Sequence, residues 1–231
     1  MTRFTEALAA GSPPVIAEIK PRTADGEDLL RGRTPTAIAA AYADAGAACL
    51  SVVTGRWFGG TVDLLREVTA ASPLPVLQKD FITRDAHIET AADCGAAAVL
   101  LTVKLLTATS MRRLVDAAIG HGITPFVEVT DEAEIAIVPR AAECVIAVNN
   151  KDISTRERTP ADLRRGADLL ATVQATGTPY PVSASGIEHP AQAASLLAAG
   201  YRGLLVGTGL LRATDPAEWF GTLATHLNEA G

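Results

Sequence analysis

Residues Pro14 to Lys20 read P-V-I-A-E-I-K, an apolar run that ends in a carboxylate and an ammonium. Side chains alternate across a strand, so Glu18 and Lys20, two apart, share a face. An unpaired charge on a buried strand costs several kcal/mol, which leaves two simple readings: an ion pair closing the strand end, or a site. The same design recurs downstream. V-L-Q-K-D-F ends in Lys79, P-F-V-E-V in Glu128, V-I-A-V-N-N in Asn149 and Asn150, and P-V-S-A-S-G in Ser183 and Ser185. Polar groups at the ends of several apolar strands are what a parallel barrel gathers around one mouth.

Outward from that stretch, strand and helix patterns alternate with little between them. Strands are predicted at Val15 to Lys20, Cys49 to Thr54, Pro75 to Lys79, Ala97 to Thr102, Thr124 to Val129, Cys144 to Val148, Tyr180 to Ser183 and Gly203 to Val206. Helices are predicted over Pro35 to Gly46, Thr61 to Ala71, Arg84 to Cys94, Ala108 to Ile119, Glu132 to Val138, Pro160 to Ala171, Pro190 to Ala199 and Pro216 to Asn228. In the first of these, Thr34 is the expected cap, Pro35 opens the first turn and Gly46 is the stop. Near-continuous apolar strands, each followed by a helix, argue for a parallel sheet covered by helices. Eight such pairs in 231 residues fit a single-domain (β/α)8 barrel, the TIM-barrel architecture, better than an open doubly wound sheet. The longest irregular segment, Pro21 to Thr34, follows the first strand, on the side where barrels keep their function.

Hydrophobic residues make up 48% of the chain and charged residues 20%, enough apolar surface to bury a core. The net charge of −6 argues against a general nucleic-acid or membrane-surface binder, so an anionic ligand must be held by local charge. The three cysteines, Cys49, Cys94 and Cys144, are widely spaced and show no metal-ligand spacing to the four histidines. They read as reduced thiols of a cytoplasmic protein. The first residues are too short and polar for a signal peptide, and no apolar run reaches the roughly 18 residues of a membrane helix. Nothing in the composition speaks to oligomeric state.

Glu18, Lys20, Lys79 and Glu128 fall at strand ends on one side of the expected barrel. Two acids and two lysines facing one cavity can supply a general acid, a general base and an anion clamp. A Schiff-base role for Lys79 or Lys20 is the other chemistry open to them. Trp57, Phe58 and Phe81 are candidate walls for a flat apolar substrate. S-A-S-G-I (Ser183 to Ile187) and L-V-G-T-G (Leu205 to Gly209) each put small residues between a strand and a helix. Backbone N–H groups exposed at helix starts after strands seven and eight suit a phosphate. His87, His121, His189 and His226 read as solvent or capping residues. Arg31, Arg33, Arg112, Arg113, Arg164 and Arg165 read as solvated surface.

The motifs together resemble the indole-3-glycerol phosphate synthase family over nearly the whole chain. The resemblance is carried by A-E-I-K-P-R (Ala17 to Arg22), D-L-L-R-G-R (Asp28 to Arg33), G-A-A-C-L-S-V-V-T (Gly46 to Thr54), F-G-G (Phe58 to Gly60) and L-P-V-L-Q-K-D-F-I (Leu74 to Ile82). F-V-E-V (Phe126 to Val129), A-V-N-N-K-D (Ala147 to Asp152), S-A-S-G-I and L-V-G-T complete it. The resemblance implies closure of a pyrrole ring on a phosphorylated, anthranilate-derived deoxyribulose, with loss of carbon dioxide and water. It implies Lys79 as general acid, Lys20 as the grip on the substrate carboxylate and an aid to dehydration, Glu128 as general base and Glu18 as a second acid–base group. Asn149 is implied as a positioning donor with Ser185 beside it, Gly186, Gly207 and Thr208 as the phosphate cradle, and Lys151 near the phosphate. No metal or organic cofactor is needed, because proton transfers and an anion clamp suffice.

Five departures from the family pattern stand out. Ala184 replaces a glutamate, Thr23-Ala24-Asp25 replaces S-P-S, Gly55 and Arg56 stand where an acid usually follows Thr54, Lys151 replaces an arginine, and the segment before the first strand is short. Arg and Lys differ in planarity, so the Lys151 change keeps charge but loses the fork. These departures leave three readings: a working synthase, also conceivable in a specialised indole pathway; a relative with an altered substrate or step; and a non-catalytic sugar-phosphate-binding barrel.

Overall fold

In the computed structural model, residues 1–151 and 161–230 are described. The strands are β1 (Val15–Ile19), β2 (Cys49–Val53), β3 (Val76–Lys79), β4 (Ala98–Thr102), β5 (Thr124–Val129), β6 (Val145–Asn149), β7 (Tyr180–Ala184) and β8 (Gly203–Val206). The helices are α1 (Arg3–Ala10), α2 (Pro35–Asp44), α3 (Val62–Ala71), α4 (Asp85–Asp93), α5 (Ala108–Gly120), α6 (Glu132–Ala136), α7 (Leu163–Ala175), α8 (Pro190–Ala199), α9 (Thr208–Arg212) and α10 (Pro216–Ala230). All neighbouring strands run parallel in chain order, and β8 pairs with β1, Ile16 opposite Leu205. The closure of β8 on β1 excludes the open doubly wound alternative.

Each strand is largely apolar because both of its faces are covered. Val15, Ala17 and Ile19, with Leu50, Val52, Val99, Leu101, Val127, Ile146 and Val206, face the helices. Ile16, Cys49, Leu77, Leu100, Phe126, Val145, Val182 and Leu205 fill the barrel interior. Helix starts follow local chemistry: Thr34, Thr61, Thr107 and Asp131 each accept a hydrogen bond from the third helical N–H. Gly46 lies just past α2 at φ +95°, a backbone region that favours glycine.

The structure adds elements that the residue pattern does not announce. The segment before β1 forms α1, whose Phe4 and Leu8 are fully buried in the interior cluster. The Phe4 ring meets Phe126 edge-on, with centroids 6.3 Å apart, so α1 plugs the N-terminal end of the barrel. Helix α7 runs to Ala175, beyond the expected Ala171, because Val173 is fully buried and packing overrides the β-branched Thr172 and Val173. The expected helix start at Pro160 and the motif residue Asp152 lie outside the described residues. Among the described residues, no helix is long and apolar enough to cross a membrane. All three cysteines are free and buried, and burial pushes the thiols of Cys49 and Cys144 up to about 12. Such thiols are poor nucleophiles.

Candidate active site

Strand parity turns Ile16, Glu18 and Lys20 inward, and the last two sit at the C-terminal end of the barrel, 2% and 6% exposed. Lys20 Nζ lies 3.2 Å from Glu18 Oε1, and Lys79 Nζ lies 3.2 Å from Glu18 Oε2. One carboxylate therefore bridges β1 to β3, across Ser51, its register partner on β2. Burial pushes the Glu18 carboxyl up, but the ammoniums of Lys79 and Lys20 outweigh it and bring the pKa from 4.5 to about 2. The Lys20 ammonium also lies 5.5 Å from the centroid of the Phe58 ring, a cation–π contact.

Gly207, at the end of β8, makes room for that carboxylate. A Cβ built there would lie 2.4 Å from Glu18 Oε1. Gly207→Ala is therefore expected to push Glu18 off both lysines and lower turnover by roughly 10- to 100-fold, since misplacement near 1 Å costs on that scale. Steady-state kinetics with a parallel thermal melt checks this, and an alanine variant as active as the parent would show that Glu18 tolerates displacement.

Glu128 faces inward from β5, 3% exposed, with the Thr102 hydroxyl donating to its Oε1 at 3.4 Å. Asn149 faces inward from β6 and is fully buried. Its Oδ1 accepts from the Lys151 N–H at 2.9 Å, and among the described residues its Nδ2 has no partner. An orphaned buried donor is costly, so this amide is poised for an acceptor brought by a ligand. Ala184 is its register partner on β7 and is also fully buried.

Parity separates residues that the sequence places side by side. Asn150, unlike Asn149, faces away from the interior and donates to Ser183 Oγ at 3.1 Å and to the carbonyls of Ala184 and Ser185 at 3.0 Å. Asn150 and Ser183 therefore tie β6 to β7 and take no part at the mouth, which corrects the grouping of Ser183 with Ser185.

The two small-residue loops meet because β7 and β8 are neighbours. One cleft is lined by Glu18, Lys20, Lys79, Lys151, Ser185, Gly186, Gly207 and Thr208. Gly186 has φ +76°, and a Cβ there would lie 2.1 Å from Ala161 Cβ, so only glycine fits. Glu188, an acid that the motif reading passes over, lines the same cleft. A second recess beside it holds Thr23, Ala24, Asp25, Glu27 and Arg212 together with Lys20 and Lys151. The loop after β1 is pinned there: Arg33 donates to the carbonyls of Leu29, Leu30 and Leu211, and Arg212 pairs with Glu27. Arg165 donates to the carbonyls of Asn149 and Lys151 at 3.0 and 3.2 Å. Arg33 and Arg165 are thus clamps and not solvated surface; no sequence signal separates the two uses of an arginine.

The aromatic walls divide. Phe58 stands over Lys20, whereas Trp57 and Phe81, 64% and 41% exposed, line a neighbouring groove with Gln78, Asp80 and His87. Ser51 and Thr102, which strand parity places beside Glu18 and Glu128, are inward-facing hydroxyls that the motif reading does not single out.

Comparison with known proteins finds relatives of this chain in sequence and in fold. The family model for indole-3-glycerol phosphate synthase matches residues 1–223. The chain is 38% identical over 209 residues to the indole-3-glycerol phosphate synthase of Pyrococcus furiosus, covering 89% of each protein. It is 36% identical to that of Polaromonas sp., over 93% of this chain and 81% of the relative. It is also 35% identical to that of Thermococcus kodakarensis, over 90% and 91%. Among solved structures, 3-hexulose-6-phosphate synthase from Salmonella typhimurium superposes with a TM-score of 0.71 at 15% identity, covering 94% of this chain and 99% of that one, a likeness of fold.

Proposed function

The chain belongs to the indole-3-glycerol phosphate synthase family, and from that premise we propose that its ring closure is run by Lys79, Lys20 and Glu128 around a Glu18 that is ionised at neutral pH. The protein is a carboxy-lyase of tryptophan biosynthesis. It converts 1-(2-carboxyphenylamino)-1-deoxyribulose 5-phosphate to indole-3-glycerol phosphate with loss of carbon dioxide and water. The observation that carries the division of roles is the Lys20–Glu18–Lys79 bridge, 3.2 Å on each side, at the edge of the small-residue cleft.

In this reading the substrate phosphate lies against Ser185, Gly186, Gly207 and Thr208, with Lys151 supplying charge. Backbone N–H groups and one ammonium offset the phosphate charge in a chain that is acidic overall. Lys79 protonates the ketone oxygen as the ring carbon attacks, and Lys20 holds the departing carboxylate and assists the later dehydration. Glu128 takes the proton released on dehydration. The Asn149 Nδ2 donor meets a substrate oxygen. Glu18 has a narrower task than a shared acid–base role: with a pKa of about 2 it is a weak base near neutral pH, and it holds two ammoniums charged and in place. Phe58 forms the aromatic wall next to Lys20, with Trp57 and Phe81 as an outer wall beyond it. The protein works in the cytoplasm on a small phosphorylated substrate, through one barrel domain.

Incubating purified protein with the carboxyphenylamino deoxyribulose phosphate and following indole fluorescence tests this directly. Product formation confirms the synthase reaction in this chain; substrate binding without product would favour a sugar-phosphate-binding role. Ala184 sharpens the test. No carboxylate stands at that position, and among the described residues the Asn149 Nδ2 of its register partner has no hydrogen-bond partner. Ala184→Glu is expected to raise kcat/KM by roughly tenfold, about 1.4 kcal/mol of transition-state stabilisation. No gain would mean that the mouth is rebuilt for a different substrate.

A further inference from the structure

Lys79 is flanked by two residues whose side chains both reach the same hydroxyl. Gln78 and Asp80 point to the helix-facing side while Lys79 points into the barrel, as strand parity requires. On that outer side, Gln78 Nε2 donates to Thr54 Oγ1 at 3.1 Å, and Thr54 Oγ1 donates to Asp80 Oδ2 at 2.8 Å. The other carboxylate oxygen of Asp80, Oδ1, accepts from the Phe81 N–H at 2.8 Å. The Thr54 N–H completes the set by donating to the Lys79 carbonyl at 3.0 Å. The hydroxyl has one proton, which goes to Asp80, so the group that it accepts from must be the Gln78 amide nitrogen.

Gln78 and Thr54 are each 3% exposed, so the bond between them is shielded from water, while Asp80 is half-buried and borders the groove beside Trp57 and Phe81. The loop after β2 closes over it: a Cβ on Gly60 would lie 2.1 Å from the Val53 carbonyl oxygen, and one on Gly55 3.3 Å from Asp80 Oδ1. Strands β2 and β3 end here, at the register pair Val53 and Lys79. Beyond that pair the backbone ladder has one more bond, and the side-chain network is what continues it.

We propose that Thr54, Gln78 and Asp80 form a clasp on the outer face of the barrel that positions the Lys79 ammonium for proton transfer. All three are positioning residues: they act through Lys79 and touch no substrate. Thr54 grips the peptide that carries Lys79 from both sides and by its carbonyl. The lysine therefore leaves a fixed point on the barrel rim, and the Glu18 pairing at 3.2 Å sets only its far end. The clasp rests on the reading of Lys79 as the general acid.

Thr54→Val removes the hydroxyl, keeps the shape and leaves the backbone bond to Lys79. The expected result is a roughly 10- to 100-fold fall in kcat with KM changed less than about threefold, the signature of a displaced acid and an intact binding site. Thr54→Ser restores the hydroxyl and is expected to return kcat to within about threefold of the parent. Gln78→Leu opens one side of the clasp and is expected to fall between the two. A purely structural role predicts a lowered melting temperature for Thr54→Val with parental kcat in the folded protein, and that outcome overturns the clasp. Lys79→Met measured beside them separates the two failures. If it is inactive while Thr54→Val is fully active, the clasp alone is wrong; if it is active, the reading of Lys79 falls and the clasp loses its purpose.

Discussion

Lys79→Met is expected to lose turnover by roughly 100- to 10,000-fold, the range for removing a positioned general acid, while the fold is kept. Methionine matches the lysine stem in length and apolar character, which suits a side chain that is mostly buried. Glu18 keeps Lys20 at 3.2 Å, so the carboxylate is still paired after the change. The two consequences are measured separately, turnover by indole fluorescence and fold by far-ultraviolet circular dichroism with a thermal melt. An unaltered spectrum beside lost product formation places the acid at Lys79. Undiminished activity removes Lys79 from the chemistry and leaves Lys20 as the candidate acid.

Glu18→Gln is expected to be the most destabilising single change at the mouth. The carboxylate is buried between two ammoniums, and without its charge Lys20 and Lys79 face each other across a largely buried site. The folded pKa of about 2 lies below the ordinary 4.5, so ionised Glu18 stabilises the folded state. That stabilisation is complete above about pH 5 and is lost as the pH falls through 4.5 towards 2. At roughly 1.4 kcal/mol for each pH unit between the two values, it amounts to about 3 kcal/mol at neutral pH. Urea unfolding from pH 7 down to pH 3 should show the parent and Glu18→Gln curves far apart at the top and converging at the bottom. Parallel curves would mean that Glu18 is not held ionised by the lysines.

Much of the site could be read from residue types and their spacing alone. An acid or an ammonium at the end of an apolar strand has few stable explanations, so Glu18, Lys20, Lys79 and Glu128 stand out without coordinates. The paired loops at Ser185 to Ile187 and Gly207 to Gly209 are legible for the same reason, since small residues between strand and helix leave backbone exposed. Less legible is whatever depends on contact between distant segments. The use of Gly207 is to leave room for Glu18, a meeting of the last strand with the first that no local pattern encodes. Arg33 and Arg165 look like solvated charges until their carbonyl partners are seen. Helix α1 escapes notice because its short Thr–Arg–Phe opening resembles a terminal tail; its stability comes from Phe4 and Leu8 entering the barrel floor.

Alternation of apolar strands and helices specifies a parallel sheet covered by helices, because each strand must be covered on both faces and each helix must bury one stripe; the closure of β8 on β1 makes it a barrel. Period-two spacing also specifies that Glu18 and Lys20 share one face at the end of the first strand, a matter of local backbone geometry. Tertiary structure alone decides the rest: that one carboxylate serves both lysines, that Asn149 enters the mouth while Asn150 leaves it, and that Thr54 holds both neighbours of Lys79. Each of these joins strands that are apart in the chain, and their distances follow from barrel closure and register, quantities set by the packing of the whole chain and by no single segment of it.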